Sequence, residues 1–345
     1  MKYYENLKIE EFNEFSKNHY LNSIFQNSSW ANTKSNWKSL YVGVKENDEI
    51  IAGGLVLLRR LPMNFNFAYM PRGPLLDFND EKLVSFFFEN LKKHLRKEKV
   101  LLCKLDPNLI ISEIDFDRKD EISSIKDDAL INKLKKVGLN HTGYTLLIKD
   151  SIQPRIQLEL KTENYDTIIP SKTMKKVRSS EKKGVVIVNE KHNVDSLSKM
   201  IDFTKNRHNI NLRNKEYFSN LIKSFKDDAC VMSGYVDETL ISSCLLVKSK
   251  DTTEILYSGY DDDYKKYYST YLLRYKCIQW AKEQGCKYFS FGGVEGTLDD
   301  GLTMFKSSFN PSIRIYIGEF DLLPIPALSK LISLVYPHLK SLKIQ

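Results

Sequence analysis

Residues 254–293 read EILYSGYDDDYKKYYSTYLLRYKCIQWAKEQGCKYFSFGG. EILYSGY (254–260) has the composition of a strand, and KYFSFGG is a second, closed by two glycines. Between them Leu273, Cys277, Trp280 and Ala281 fall on one helical face over about 269–284, and Gly285 is placed to end that helix. Upstream, CVMSGYV (230–236) and LISSCLLVK flank the turn Asp237-Glu238. The expected order is therefore three strands, a helix and a strand.

The first half has the same plan. SLYVGV and IIAGGLVLL, within 38–60, surround the turn Glu46-Asn47-Asp48, and FNFAYMPRGPLL (65–76) reads as a third strand halted by Pro71 and Pro74. Asp80 is a candidate N-cap for a helix whose Leu83, Phe87, Leu91 and Leu95 share a face, and VLLCKLDP (100–107) reads as a buried strand. Asp48 and Asp237, Tyr69 and Tyr257, and Asp106 and Gly293 are separated by 189, 188 and 187 positions. A nearly constant offset through four elements is the expectation for a duplicated domain. The acidic stretch between the halves, LIISEIDFDRKDEISSIKDD (109–128), reads as a solvated loop.

The 345 residues suffice for two domains, and 42% hydrophobic with 28% charged residues describes a globular chain. A net charge of +8 favours anionic partners such as phosphates, tRNA or a membrane surface without choosing among them. Cysteines 103, 230, 244, 277 and 286 are scattered and form no CxxC, so buried reduced thiols are expected, and the dispersed histidines offer no metal site. The N-terminus lacks an apolar signal core and no run of about 18 apolar residues occurs, so a cytosolic protein is expected.

Two segments carry candidate chemistry. FGGVEGTLDDGLTMFKSSFN (291–310) sets Lys306 among Met304, Phe305 and Phe309, an apolar setting in which a cation acts more strongly on a nearby anion. KTMKKVRSSEKKGVVIV (172–188) places several of Lys172, Lys175, Lys176, Arg178, Lys182 and Lys183 on one helix face that ends at Gly184. That face is either simply solvated or a contact for a phosphate backbone such as tRNA, with Lys175, Lys176, Lys182 and Lys183 as its candidates.

The strand trio, helix and strand resemble the acetyltransferase-like (GNAT) core. Members of that fold hold the acetyl-CoA pyrophosphate on an R/Q-x-x-G-x-G/A loop. After Tyr69 this chain has PRGPLLD, and after Tyr257 it has SGYDDDYKKYY, which implies another acyl donor. Longer motifs resemble the Fem family of peptidoglycan-bridge aminoacyltransferases. FQNSSWANTKSNW (25–37) is similar to the family's Q-S-x-x-W-A-x-x-K element, YMPRGPLLD (69–77) to its Y-x-P-R-G-P-x-x-D signature, and KKVRSSEKKGVVI to its basic helix. The segments from Tyr257 to Gly285 and from Phe291 to Asp321 resemble its C-terminal block.

The resemblance implies an α/β (α+β) chain of two tandem GNAT-like domains, 1–150 completed by 317–345 and 151–316. It implies a tRNA-dependent aminoacyltransferase that joins an amino acid to the side-chain amine of a stem peptide in UDP-MurNAc-pentapeptide or lipid II. No cofactor or metal is expected. Lys215 to Tyr257 leaves no room for the long helical hairpin of larger members, so the compact FemX-like type without a coiled-coil arm is expected. Lys306, paired with Phe305, is implied to face the oxyanion or the terminal tRNA phosphate, and Asp106 to handle the amine proton or merely position. Lys34, Arg207, Arg213, Tyr217 and Tyr257 are implied to hold the precursor. Arg213 and Tyr217 would share a face if NLRNKEYF is helical. The alternative activity is a GNAT-type N-acyltransferase with a small amine acceptor. The C-terminal 327–345 reads as a helix that either docks on the first domain or makes a peripheral membrane contact.

Overall fold

Two tight turns organise the computed structural model of the chain, which describes residues 1–208, 213–295 and 298–328. Asn47 and Asp48 have φ of 50° and 65°, and Asp237 and Glu238 have 46° and 65°. Two successive left-handed residues are what a two-residue hairpin of type I′ requires, and Asn and Asp reach that region more readily than most residues. The strands are β1 (Lys2–Tyr4), β2 (Lys38–Glu46), β3 (Glu49–Arg60), β4 (Asn66–Met70), β5 (Val100–Leu105), β6 (Ile110–Asp115), β7 (Leu139–His141) and β8 (Ile156–Lys161). They continue with β9 (Val186–Lys191), β10 (Ala229–Val236), β11 (Thr239–Lys248), β12 (Thr252–Tyr260), β13 (Tyr288–Gly293), β14 (Ser312–Tyr316) and β15 (Phe320–Leu322).

The chain forms two units. One comprises residues 1–113, 120–156 and 315–345, the other 114–119 and 157–314, and the chain passes between them within β6, the 3₁₀ segment Phe116–Ser124, β8 and β14. The first unit holds a sheet in the order β1-β2-β3-β4-β5-β15-β7. The helix Glu81–Lys97 covers it, burying Leu83, Val84, Phe87, Phe88, Leu91 and Leu95. Asp80 caps that helix by accepting from the Lys82 and Leu83 N–H groups at 3.0 Å. β15 is inserted between β5 and β7, antiparallel to both.

The second unit repeats the plan with β8-β13-β12-β11-β10-β9. The helix Ser269–Glu283 buries Leu272, Leu273, Cys277, Ile278, Trp280 and Ala281, and with them Arg274. In both units the first two long strands pair in one register. Adding 190 to Leu40↔Val56 gives Cys230↔Leu246, and adding it to Lys45↔Ile50, just past a bulge, gives Tyr235↔Leu240, just past another. The ladder thus places the hairpin offset one residue beyond the Asp48/Asp237 match, because Asn47 and not Asp48 opens the first turn. Between Lys215 and Tyr257 the described chain holds the helix Lys215–Phe225, a short 3₁₀ turn, and β10, β11 and part of β12, with no helical arm.

Two segments differ from the sequence expectation. β4 ends at Met70, and Leu75 instead returns to exchange both backbone hydrogen bonds with Gly53 (2.9 and 2.8 Å). The acidic stretch is no loop: it forms β6 and a 3₁₀ segment, Phe116–Ser124, because Ile114 and Ile122 are buried and anchor it. The expected C-terminal helix lies almost wholly outside the described residues. Among the described residues, no helix is long and apolar enough to cross a membrane.

In the second unit Gly259 on β12 lies directly against the carbonyl of Met200 in the helix Val194–His208, where an added Cβ would collide with backbone. Gly259→Ala is expected to lower the unfolding free energy by about 1–3 kcal/mol, the usual cost of overpacking. Urea denaturation monitored by circular dichroism checks this; an unchanged midpoint would mean that the helix can shift freely.

Candidate functional site

In the first unit the Q-S-x-x-W-like element and the PRGP loop prove to be one structure. Gln26 is fully buried; its carboxamide donates to the Pro71 carbonyl at 2.6 Å and accepts from the Leu55 N–H at 2.7 Å. A Cβ at Gly73 would come within 2.6 Å of that carboxamide, so the loop needs glycine there. Asn27 caps the short helix Ser28–Asn32 and so presents Trp30, over whose ring the Lys34 ammonium sits at 4.3 Å.

Asp106 follows β5 and is only 2% exposed. Its Oδ1 accepts from the Arg72 N–H at 3.0 Å, where Arg72 has a left-handed φ of 49°, and its Oδ2 lies 3.8 Å from Arg72 Nε. The guanidinium stacks 4.2 Å from the Tyr316 ring and donates to the Pro154 carbonyl at 3.0 Å. Burial pushes the Asp106 carboxyl up to about 7, against the opposing charge of Arg72. The side chain that the resemblance casts as a proton acceptor thus holds a strained loop in place.

The second unit gathers the aromatic and cationic candidates. Lys306, in the helix Gly301–Ser307, is 8% exposed and donates to the Gly293 carbonyl at 2.8 Å, at the end of β13. Burial, then the charge of Arg274, lowers its ammonium from 10.5 to about 8. Phe305 stands edge-on to Tyr271 with ring centres 5.0 Å apart. Tyr257 and Tyr217 meet at their hydroxyls (3.4 Å), and both rings pack on Phe218; burial raises the Tyr217 phenol well above its ordinary value.

Asn214 caps the helix Lys215–Phe225, so Arg213 stands just outside it and shares no helical face with Tyr217. The two still meet, the guanidinium lying 4.9 Å over the Tyr217 ring. Arg207 belongs to the helix Val194–His208, but its side chain lies outside the described residues.

The basic helix spans Ser171–Lys182. Lys175, Lys182 and Lys183 are exposed, and Lys176 is half-buried with its ammonium donating to the Tyr271 hydroxyl at 2.7 Å. Lys183 lies 4.7 Å over the Tyr268 ring. Arg274 escaped the sequence reading. It is 6% exposed and donates to Ser258 Oγ at 2.8 Å. The signal was available: position 274 forms an i, i+3, i+4, i+7 set with Cys277, Ile278 and Ala281, the inward face.

Asp106 gives a pH test that needs no substrate. Its folded value, about 7, lies above its ordinary 3.8. The folded chain therefore keeps a proton that the unfolded chain loses, and the stability this gives is present at low pH and lost as pH rises from about 4 to 7. Asp106→Asn should show a smaller fall in melting temperature between pH 5 and pH 8 than the parent chain. Parallel curves for the two proteins would rule out a raised carboxyl.

With this geometry in hand, the kinship of the chain is informative. A sequence profile of the FemAB family matches residues 7–239 and 234–337. The UDP-N-acetylmuramoylpentapeptide-lysine N(6)-alanyltransferase of Weissella viridescens is 28% identical over 334 residues, covering 91% of this chain and 93% of its own. The lipid II:glycine glycyltransferase of Staphylococcus haemolyticus is 24% identical, covering 99% and 97%. The crystal structure of FemX superposes with a TM-score of 0.84 at 19% identity over 97% of this chain and all of its own. A tandem GNAT protein from the clavulanic acid biosynthesis pathway gives 0.54 at 8% identity over 92% and 94%. Both likenesses bear on the fold, that of two tandem GNAT-like domains. A profile match through nearly the whole chain carries more, and the protein belongs to the FemAB family as a compact, FemX-like member.

Proposed function

We propose that this protein is an aminoacyltransferase that takes an amino acid from aminoacyl-tRNA and joins it, as an amide, to the side-chain amine of the stem peptide in a UDP-linked or lipid-linked peptidoglycan precursor. The observation that carries the reading is Lys306, a buried ammonium fixed to a strand-end carbonyl. The names of the relatives, an alanyltransferase acting at a lysine N(6) and a glycyltransferase, supply the reaction class.

The chemistry follows from that placement. The acceptor amine, once it has shed its proton, attacks the ester carbonyl of the donor; a C–N bond forms and the carbonyl oxygen takes the negative charge. An ammonium in a water-poor site is worth more to that oxyanion than one in bulk solvent. Collapse of the intermediate breaks the C–O bond, and the leaving tRNA oxygen takes the surplus proton of the attacking nitrogen and becomes a hydroxyl; the proton shed before attack passes to solvent. Arg213, Tyr217 and Tyr257 form a cation and aromatic cluster suited to the anionic precursor, with Arg207 on the preceding helix. Lys34 over Trp30 is a further cation for it. Asp106 serves by holding the Arg72 loop, and Lys175, Lys176, Lys182 and Lys183 meet the tRNA backbone.

The deciding assay supplies charged tRNA or acetyl-CoA with a muropeptide and looks for the amide by mass. Aminoacylated product from charged tRNA is expected; acetylated product from acetyl-CoA alone would make the protein a small-acceptor N-acyltransferase instead. Lys306→Met should lower turnover on the order of a hundredfold, with precursor affinity unchanged. Since the ammonium is the working form and its value is about 8, the rate should fall as pH rises through 8, and Lys306→Arg should abolish that limb.

Neutralising Lys175, Lys176, Lys182 and Lys183 together should flatten the dependence of tRNA affinity on salt by about 0.7–0.9 for each phosphate no longer neutralised, and leave precursor affinity alone. An unaltered slope returns this helix to a solvated face.

A further inference from the structure

The turn between β3 and β4 shows an apolar side chain to solvent. Met63 and Asn64 both have left-handed φ, 56° and 67°, a region that methionine seldom enters. Met63 is 66% exposed, and Pro62 beside it is exposed as well. Stability alone would favour glycine or asparagine at such a position. Beneath the tip, Phe65 and Trp37 pack on a buried cluster that includes Leu61, Phe67 and Leu102.

Cations gather at the same end of the first sheet. Exposed Arg60 precedes the turn, and Arg59 lies 5.8 Å from the Trp37 ring. The Asn66 N–H donates to the Lys99 carbonyl at 3.0 Å, which brings in the end of the helix Glu81–Lys97 with exposed Arg96, Lys97 and Lys99. Lys38 and Lys97 are answered by Glu98 and Glu5. Among the described residues, no carboxylate lies within ion-pair distance of Arg59, Arg60, Arg96 or Lys99. Leu328, the last described residue, packs on the apolar cluster too. The sequence beyond it adds Lys330, Lys340 and Lys343 among Leu331, Ile332 and Val335.

An apolar tip among cations that lack a protein counterion suits the surface of an anionic bilayer, where acyl chains receive the one and lipid phosphates the others. Nucleic acid would use the charges but has no use for an exposed methionine. We propose that this end of the first unit rests on an anionic bilayer, with Met63 entering the headgroup layer and Arg60, Arg96 and Lys99 meeting lipid phosphates. The acceptor is then the lipid-linked precursor, a choice that rests on the reaction proposed above. β5 is six residues long and runs away from Lys99, so Asp106 and the Arg72 loop stand about 20 Å from this end. A stem peptide that adds about 3.3–3.6 Å per residue to an anchored sugar diphosphate covers that distance.

Sedimentation with vesicles tests the surface on the full chain. The parent should sediment with mixed phosphatidylglycerol and phosphatidylcholine vesicles at low salt and stay in solution with phosphatidylcholine alone. Met63→Asn suits the left-handed turn better than methionine, so it should melt no lower than the parent while lowering the bound fraction about threefold. Arg60→Gln combined with Lys99→Gln should weaken binding about tenfold. A parent that stays in solution with anionic vesicles, or binding unchanged in both variants, overturns the surface. So does a double variant that loses affinity for tRNA and keeps it for vesicles, which gives the cations to nucleic acid.

Turnover separates this surface from the reaction itself. Both variants should match the parent on lipid-linked precursor dispersed in detergent and fall behind it when the same precursor sits in anionic vesicles. An equal loss in both settings overturns the surface role, and a parent that uses only the UDP-linked precursor overturns the choice of acceptor. A parent that transfers no amino acid to either precursor defeats the aminoacyltransferase reading instead, and the sedimentation result still stands.

Discussion

Holding an ammonium out of water is the constraint around which the second unit is arranged. Lys306 reaches its place because Asp300 caps a short helix and β13 ends at Gly293, whose carbonyl the ammonium grips. The neighbouring Arg274 makes the charge harder to keep, which is why Lys306 titrates near 8 and not near 10.5. A protein selected for stability alone would place apolar side chains there, since buried ions seldom repay their desolvation. The strain is intelligible if the site is built for an anion that appears during reaction.

Much of this was legible in the sequence, for identifiable reasons. Hairpins and helices announce themselves locally: Asn47-Asp48 and Asp237-Glu238 can turn left-handed, and Asp80 can cap. The FK pair stood out because a lysine among Met304, Phe305 and Phe309 is unusual. What stayed hidden depends on distant partners. Leu75 returns to Gly53 rather than extending β4, and nothing local encodes that pairing. The acidic stretch looked solvated because charges outnumber the isoleucines, yet Ile114 and Ile122 decide its structure. Arg274 was overlooked because an arginine in an apolar helix is usually assigned to the surface.

Asp106 shows how a motif residue can carry a structural contact. Its carboxylate accepts from the backbone of a loop that Gln26 also pins, at the Pro71 carbonyl. Several motif positions in the first unit thus serve one local purpose, keeping Arg72 in a conformation that a free chain would abandon. Loss of activity on changing any of them would report the loop as readily as the chemistry.

The position of β15 has a consequence for how the chain is made. Its three residues, Phe320–Leu322, fill the gap between β5 and β7 in the first sheet. Synthesis proceeds from the N-terminus, so that gap stays open until residues 320–322 have left the ribosome. Almost all of the second unit, lying within 157–314, has by then emerged and can close first. The first unit therefore closes after the second. While it waits, it presents two unpaired strand edges, the kind of surface on which nascent chains join one another.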